Sequence, residues 1–446
     1  MVKQLFGTDG IRGTAGEPPL DPDTVHAFGM ALGKVVARAA PDSEVVLGMD
    51  TRESGPWIAS QVAGGLAKHG VRSRFAGIVT TPGVAYLTRS DSFVAGVMIS
   101  ASHNPFQDNG IKVFGHSGFK LPDSEEQEIE REIFRLLEHG VEAAPCPLEV
   151  DEGLDRKYVD ALASTAECSL AGRNIVVDCG NGAASRLGPE LLTRLGANVQ
   201  AIFSDPDGRN INRDCGALHV EALCAEVRAR GADFGVAFDG DADRALFVSR
   251  NGKVVDGDAV LLIAARALKS AQKLPSESVV ATVMSNLGLE RALAGEGIRL
   301  LRTPVGDKYV LEEMVRQNVE LGGEQSGHVI FREYSTTGDG LLTALRIFEI
   351  AQRAGAGLDE LSEGLEIYPQ LLKNVRVRER KPLADLPAVA REIRDCEEAF
   401  GELGRVLVRF SGTEPLARVM VEGPELGEVR RFTDRIAEAI QREIGA

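Results

Sequence analysis

Three tandem copies of one α/β plan, followed by a smaller α+β segment, are what this sequence predicts. Three observations lead there. Short β-branched runs end in polar turns at Val45–Asp50, Ile175–Gly180 and Val279–Asn286. Each is followed by a stretch of helical periodicity that stops at a glycine: Ile58–Gly70, Pro189–Gly196 and Leu289–Gly297. A second strand then closes at a Pro/Gly turn: Thr80–Gly83, Asp205–Gly208 or Thr303–Asp307. Internal similarity of this kind marks repeated units, and short apolar runs bounded by turns fit the buried strands of parallel sheets. Strand alternating with helix places the class as α/β.

Taken in order, each unit next carries a third strand, a dense polar loop and a fourth strand. The first loop is Ser100–Pro105, leading to Asn109–Val113; the second is Asp239–Arg244, leading to Ala245–Val248; the third is Gly323–His328, leading to Val329–Phe331. Repeated α/β units place equivalent loops at equivalent sheet ends, where such folds hold ligands. Between the first and second units, Asp123–Glu138 reads as an acidic helix with a solvated face. From about residue 370 the rhythm changes. Strand Leu372–Val377, helix Leu386–Arg394, strands Arg405–Phe410 and Leu416–Glu422, and a closing helix Leu426–Ile444 predict a small α+β domain. Linkers are expected near 150–154, 251–256 and 366–370. The predicted domains are therefore 1–153, 154–254, 255–368 and 369–446.

Composition narrows the function. The 446 residues carry 50 Lys+Arg against 66 Asp+Glu, a net charge of −16, with 43% hydrophobic and 26% charged residues. Such an acidic globular chain lacks the basic patch that nucleic acid or an anionic membrane surface requires. No stretch reaches the ~18 apolar residues of a membrane span, and the opening residues lack a signal-peptide core. Six cysteines without CxxC spacing are expected as free thiols, as in a reducing compartment. A cytoplasmic location is the expectation.

Chemistry concentrates in the loops. Asp239, Asp241 and Asp243 set three carboxylates at alternate positions behind a buried strand, and oxygen-only ligation favours a hard cation such as Mg²⁺. An EF-hand is excluded, because Arg244 and Arg250 stand where Gly and Glu are required. A charged β-turn is the competing reading. Ser102 lies in a turn that Asn104-Pro105 steers away from helix. It is a candidate nucleophile with His103 or Lys112 as proton-transfer partner, or else one hydroxyl of a self-satisfied polar turn. No G-x-S-x-G elbow surrounds it. Gly7–Gly13 with Arg12, and Ser411-Gly412-Thr413 with Arg409 and Arg418, are compact loops suited to a phosphate dianion, or ordinary turns. No Walker A is present, and Gly180-Asn181-Gly182 is at most a degenerate dinucleotide fingerprint. Glu324, Ser326 and His328 alternate along a short loop and could bind sugar hydroxyls or be structural.

Assembled in this order, the motifs Gly7–Gly13, Ser100–Pro105, Asp239–Arg244, Gly323–His328 and Arg409–Pro415 resemble the α-D-phosphohexomutase superfamily over nearly the whole chain. The resemblance implies three similar α/β domains and a smaller fourth around a central cleft. It implies interconversion of glucosamine 6-phosphate and glucosamine 1-phosphate, feeding UDP-N-acetylglucosamine and cell-wall synthesis. Glucosamine 1,6-bisphosphate would be the intermediate and activator. By position, Ser102 matches the phosphorylated serine, and Asp239, Asp241 and Asp243 match the Mg²⁺ ligands, with a phosphoserine oxygen beside them. His103, Lys112, Arg12 and Arg244 match groups around the transferring phosphoryl group, and Lys112 is the better proton shuttle. Glu324 and Ser326, with His328 in the same loop, match the sugar-binding segment. Ser411, Gly412, Thr413 and Arg418 match the clamp for the distal phosphate, into which Arg409 leads. Ser100 has no transfer role in this scheme. The resemblance also implies sugar phosphates as partners and a monomer or homodimer. The competing readings are a phosphomannomutase or phosphoglucomutase, and a catalytically silent sugar-phosphate-binding protein.

Overall fold

The computed structural model describes residues 4–7, 9–39, 43–411 and 415–446. Their strands form four sheets. The first holds β1 (Phe6–Gly7), β2 (Gly10–Thr14), β3 (Glu44–Met49), β4 (Arg72–Ile78), β5 (Ala95–Ile99) and β6 (Asp108–Gly115), with helices α1 (Pro22–Ala39), α2 (Gly55–Ala67), α3 (Thr81–Ser90) and α4 (Asp123–His139). After α5 (Leu154–Ser164), the second holds β7 (Asn174–Asp178), β8 (Asn198–Ile202), β9 (Phe234–Phe238), β10 (Ala245–Ser249) and β11 (Val254–Val255), with α6 (Ala184–Arg194) and α7 (Glu221–Arg230). The third follows α8 (Gly257–Ser270) and holds β12 (Ser278–Thr282), β13 (Arg299–Thr303), β14 (Leu321–Gly323) and β15 (Val329–Phe331). Its segment also carries α9 (Leu287–Gly295), α10 (Asp307–Gln317), α11 (Gly340–Ala354) and the short α12 (Leu358–Leu361). The fourth is β16 (Gln370–Arg376), β17 (Arg405–Phe410) and β18 (Leu416–Glu422), with α13 (Pro387–Phe400) and α14 (Leu426–Ile444).

The predicted repeat is present as topology. Four strands recur in one order, β4-β3-β5-β6, β8-β7-β9-β10 and β13-β12-β14-β15. In each set the first three strands run parallel and the last is antiparallel. The loop joining the third and fourth strands therefore occupies the same place three times, and it carries in turn Ser102, the three aspartates, and Glu324. The third strands need no amphipathic alternation, because helices cover both faces of parallel sheets. β5 (Ala-Gly-Val-Met-Ile) and β9 (Phe-Gly-Val-Ala-Phe) are buried at every position.

Boundaries differ from the sequence reading where local chemistry overrides periodicity. α2 begins at Gly55, before the expected Ile58, because Pro56 suits the first turn of a helix. α6 begins at Ala184 and carries Pro189 inside it, so that proline does not open the helix. Residues 251–256, expected as a linker, carry regular structure of their own. Asn251-Gly252 turns the β10–β11 hairpin, and Asp256 caps α8 by accepting the Ala259 amide at 3.1 Å. Nor is α4 solvated along its whole acidic length, since Glu126 and Glu130 are buried. Glu130 accepts the amides of Gln4 (2.7 Å), Leu5 (2.9 Å) and Phe6 (3.1 Å), fixing the strand that leads into the first sheet. Glu130→Ala strips these amides of a charged acceptor and is expected to cost about 1–3 kcal/mol, read from chemical denaturation against wild type. An unchanged midpoint would show that water replaces the carboxylate.

The chain divides into two compact units, one with the three α/β sheets and one with the C-terminal sheet together with residues 285–297. Local periodicity places α9 in the third repeat, but its contacts run to the C-terminal sheet. Asn286 pairs twice with the Tyr368 backbone (2.9 and 3.0 Å), and Glu422 accepts the Leu287 amide at 2.8 Å. The C-terminal unit has its own core, in which Val389, Phe400, Val419, Phe432 and Ile440 pack together. All six cysteines are free. Among the described residues, no helix is long and apolar enough to cross a membrane.

Candidate active site

The loop after β9 is held by its backbone. Its Gly240 carbonyl accepts the Ala183 amide (2.8 Å), its Asp241 carbonyl the Thr81 amide (3.0 Å) and its Ala242 carbonyl the Gly340 amide (2.9 Å). Those donors stand at the starts of α6, α3 and α11, so each of the three repeats contributes one helix N-terminus. Gly240 is required by proximity, because a Cβ there would lie 2.5 Å from the Ser102 carbonyl oxygen.

Held this way, Asp239, Asp241 and Asp243 are buried, and one oxygen from each lies within 4.8 Å of the others. Burial, with Asp243 and Asp241 beside it, pushes the Asp239 carboxyl well above the usual carboxylate range. At Asp243 burial is outweighed by Lys112, His328 and Arg244, which hold its carboxyl low. Oδ1 of Asp241 and Oδ1 of Asp243 are buried without a hydrogen-bond partner. Unsatisfied carboxylate oxygens are costly to bury, and three crowded carboxylates repel. A hard divalent cation removes both costs, so the residues present fit one.

Ser102 enters the same pocket from the loop after β5. Its Oγ donates to Asp239 Oδ2 at 2.5 Å and lies 3.3 Å from His103 Nδ1. Burial pulls the His103 imidazole down to about 4, with Arg244 and Arg12 adding to the effect, so the ring is neutral near pH 7. Lys112, on β6 and 1% exposed, reaches Asp241 (2.9 Å), Asp9 (3.1 Å) and Asp243 (3.4 Å). Burial opposes its charge, but Asp241, Asp9 and Asp243 prevail and keep it an ammonium. Arg12 pairs with Asp9, and Arg244 lies 3.8 Å from Asp243. His328 completes this wall, with Nδ1 3.7 Å from Asp243 while Nε2 accepts the Gly338 amide at 3.0 Å. In the third loop, Glu324 accepts the Gly306 amide (3.1 Å) and the Ser326 hydroxyl (3.3 Å).

The structure thus brings together Ser102, His103, Lys112, Arg12, Arg244, the three aspartates and His328, and Glu324 joins Asp243 and Asp239 in favouring the charge on Arg244. Several partners were not singled out in the sequence. Asp9 gathers Arg12, Lys112 and Lys120, the last at 2.5 Å, and Lys120 also pairs with Asp307. Thr81 donates its hydroxyl to Asp241 Oδ2. Asp50, Arg52 and Asn212 stand behind Ser102.

The remaining predicted residues belong to the C-terminal unit. Arg409 and Arg418 are directly opposed across β17 and β18. Like charges so placed repel, and burial together with Arg418 lowers the Arg409 pKa. Such a pair suits an anion. The Ser411 amide donates to the Leu416 carbonyl at 2.8 Å and closes the hairpin. Gly412 and Thr413 lie outside the described residues.

Family models for phosphoglucomutase/phosphomannomutase match the chain four times: α/β/α domain I at residues 3–139, domain II at 156–252, domain III at 256–368 and the C-terminal domain at 372–439. A phosphoglucosamine mutase of Solibacter usitatus (strain Ellin6076) is 67% identical over 445 residues, covering 100% of both chains. Among solved structures, a phosphoglucomutase/phosphomannomutase family protein from Burkholderia thailandensis aligns over 100% of both chains with a TM-score of 0.79 at 24% identity. Aspergillus fumigatus N-acetylphosphoglucosamine mutase, solved with GlcNAc-6P and magnesium, aligns with a TM-score of 0.67 at 18% identity, covering 98% of this chain and 96% of that one.

Proposed function

This chain belongs to the phosphoglucomutase/phosphomannomutase family, the α-D-phosphohexomutases, and from that premise we propose that it interconverts glucosamine 6-phosphate and glucosamine 1-phosphate through a phosphoserine at Ser102. The observation that carries the reading is the Ser102 hydroxyl, 2.5 Å from Asp239 in a buried pocket of three carboxylates and several cations. Likeness to a phosphoglucosamine mutase over the full length supports the choice of sugar.

In the proposed cycle, phosphorylated Ser102 gives its phosphoryl group to the free oxygen of a sugar monophosphate. Ser102 then takes the other phosphoryl group from the glucosamine 1,6-bisphosphate so formed, after the sugar has turned around. Phosphoryl transfer asks a protein mainly for positioning and neutralisation of oxygens. Arg12 and Arg244 supply fixed positive charge. Each transfer moves one proton from the attacking hydroxyl to the oxygen that leaves phosphorus. It passes from the sugar hydroxyl to the Ser102 oxygen in the first transfer, and from the Ser102 hydroxyl to the sugar oxygen in the second. Lys112 is the better shuttle, with His103 3.3 Å from the Ser102 oxygen as the second partner. Asp239, Asp241 and Asp243, with an oxygen of phosphorylated Ser102, would hold Mg²⁺, which supplies further charge neutralisation when bound. Glu324 and Ser326 take the sugar hydroxyls, whereas His328, expected in the same role, has its nitrogens turned to the Gly338 amide and Asp243 and serves the carboxylate pocket instead. The domain limits 1–153, 154–254, 255–368 and 369–446, and work in the cytoplasm on precursors of UDP-N-acetylglucosamine, belong to the same proposal.

Arg409, Ser411, Gly412, Thr413 and Arg418 take the phosphate that is not reacting. Arg418→Ala is therefore expected to raise KM about 10- to 150-fold, the worth of one charged hydrogen bond, and to release bisphosphate before its second transfer. Phosphate on Ser102 should persist. Unchanged KM without bisphosphate escape would place the clamp elsewhere. The choice of sugar is tested by side-by-side kinetics on glucosamine, mannose and glucose phosphates. The highest kcat/KM is expected on glucosamine phosphates, and a preference for mannose or glucose phosphates would overturn it.

A further inference from the structure

We propose that Asp50, Arg52 and Ser100 are positioning residues for the Ser102 nucleophile, gripping its backbone on both sides to hold it in a left-handed conformation; this rests on Ser102 being the phosphoryl carrier. Ser102 has φ +52°, a region that crowds Cβ and that non-glycine residues keep only when their surroundings over-determine it. Those surroundings are explicit. Ser100 Oγ donates to Asp50 Oδ2 at 2.6 Å and accepts the Ser102 amide at 2.9 Å. Arg52 pairs with Asp50 through Nη1, while its Nη2 donates to the carbonyls of Ser102 (3.1 Å) and Asn104 (2.6 Å). The Asn212 amide reaches the same two carbonyls at 2.9 and 3.1 Å. Both backbone polar groups of Ser102 are thereby fixed, and its Oγ is left for Asp239.

A comparison within the molecule separates this device from ordinary turn capping. At the end of the first strand of each repeat, a polar side chain accepts the amide two residues on. Asp50 takes that of Arg52 (3.0 Å), Asp178 that of Gly180 (2.9 Å) and Thr282 that of Met284 (3.2 Å). That acceptor is common to the fold. Only in the first repeat does the residue two on carry a guanidinium, and only there does the neighbouring polar loop carry the nucleophile. The side chains of Asp50 and Arg52 are both 0% exposed. Ion pairs buried so deeply repay their desolvation poorly, so stability alone is a weak reason for one here. A rigid fork that spans a carboxylate and two carbonyls is a geometric reason, and lysine could not supply it. Ser100 and Arg52 make the hydrogen bonds to the backbone of the nucleophile's loop, Asp50 holds both of them, and all three act on the reaction through Ser102.

The test uses the full chain with Mg²⁺, glucosamine 1-phosphate and glucosamine 1,6-bisphosphate, comparing Ser100→Ala, Arg52→Lys and Ser102→Ala with wild type. Misplacing a reacting group by about an ångström costs of the order of 100-fold. In Ser100→Ala and Arg52→Lys, kcat and the rate at which phosphate appears on Ser102 are therefore expected to fall together by about 10- to 100-fold. KM stays within about threefold, because substrate contacts are intact. Ser100→Ala removes a single oxygen, which keeps the test readable if Arg52→Lys does not fold. Wild-type kcat in folded Ser100→Ala, or a loss that merely tracks the folded fraction, would overturn the positioning role. Turnover by Ser102→Ala would instead overturn the phosphoserine reading itself. A dead Ser102→Ala beside a wild-type-like Ser100→Ala would remove the positioning role alone.

Discussion

Ser102→Ala is expected to abolish turnover and to leave the fold intact. The substitution deletes one oxygen, and the lost hydroxyl is the group that carries the phosphoryl between substrate and product. Among the described residues, the neighbouring hydroxyls are already committed: Ser100 Oγ is engaged by Asp50 and the Ser102 amide, and Thr81 Oγ1 by Asp241. The loss should exceed about a thousandfold in kcat, as when a covalent nucleophile is removed, with the remainder limited to binding and electrostatic effects. Glucosamine 1-phosphate should still bind, with an affinity near that of the wild type. Steady-state assays with bisphosphate supplied, paired with a thermal midpoint, measure both. Substantial mutase activity in a folded variant would refute the assignment.

The second large effect concerns the three carboxylates. Asp241→Asn exchanges an anionic oxygen ligand for a neutral amide and is expected to weaken Mg²⁺ binding at least about 10- to 100-fold, slowing transfer with it. Removing metal from the wild type with EDTA should stop turnover, and added Mg²⁺ should restore it. A stability measurement gives an independent check. The pocket crowds three carboxylates, and burial with Asp243 and Asp241 raises the Asp239 pKa. Mg²⁺ should therefore raise the wild-type thermal midpoint, by mass action on the folded state, and raise that of Asp241→Asn much less at the same concentration. Full activity in metal-free buffer, or equal stabilisation of both proteins, would contradict the metal site.

What could be read in the sequence was what is contiguous. The nucleophile, the carboxylates and the sugar loop each occupy six residues or fewer, and the repeat puts them at one address. Their spacing held the chemistry even before any contact was known. Asp50, Arg52, Lys120, Asn212 and Asp307 escaped because each matters through a partner far away in sequence, such as Lys120 with Asp307 or Arg52 with Ser102. Asp9 lay inside a quoted motif, yet its glycines and Arg12 suggested phosphate binding and hid its pairing with lysines. Some signals were available and unused. Glu126, Ile129, Glu130 and Ile133 fall at i, i+3, i+4 and i+7, which places the two glutamates on the buried stripe of α4. Asn251-Gly252 between β-branched residues is a hairpin dipeptide. The attachment of α9 to the C-terminal sheet had no local signal, because it depends on Tyr368 and Glu422.

The central claim is that Ser102 carries the phosphoryl group, and a chase experiment reads it most directly. Wild-type protein is loaded from glucosamine 1,6-bisphosphate bearing isotopically labelled phosphate, freed of small molecules, mapped by peptide mass spectrometry, and then mixed with unlabelled glucosamine 1-phosphate. The label is expected on Ser102 alone, and on mixing it should move into bisphosphate and then glucosamine 6-phosphate at a rate no slower than turnover. Label on another residue, or label that stays on Ser102 while unlabelled product accumulates, would contradict the account.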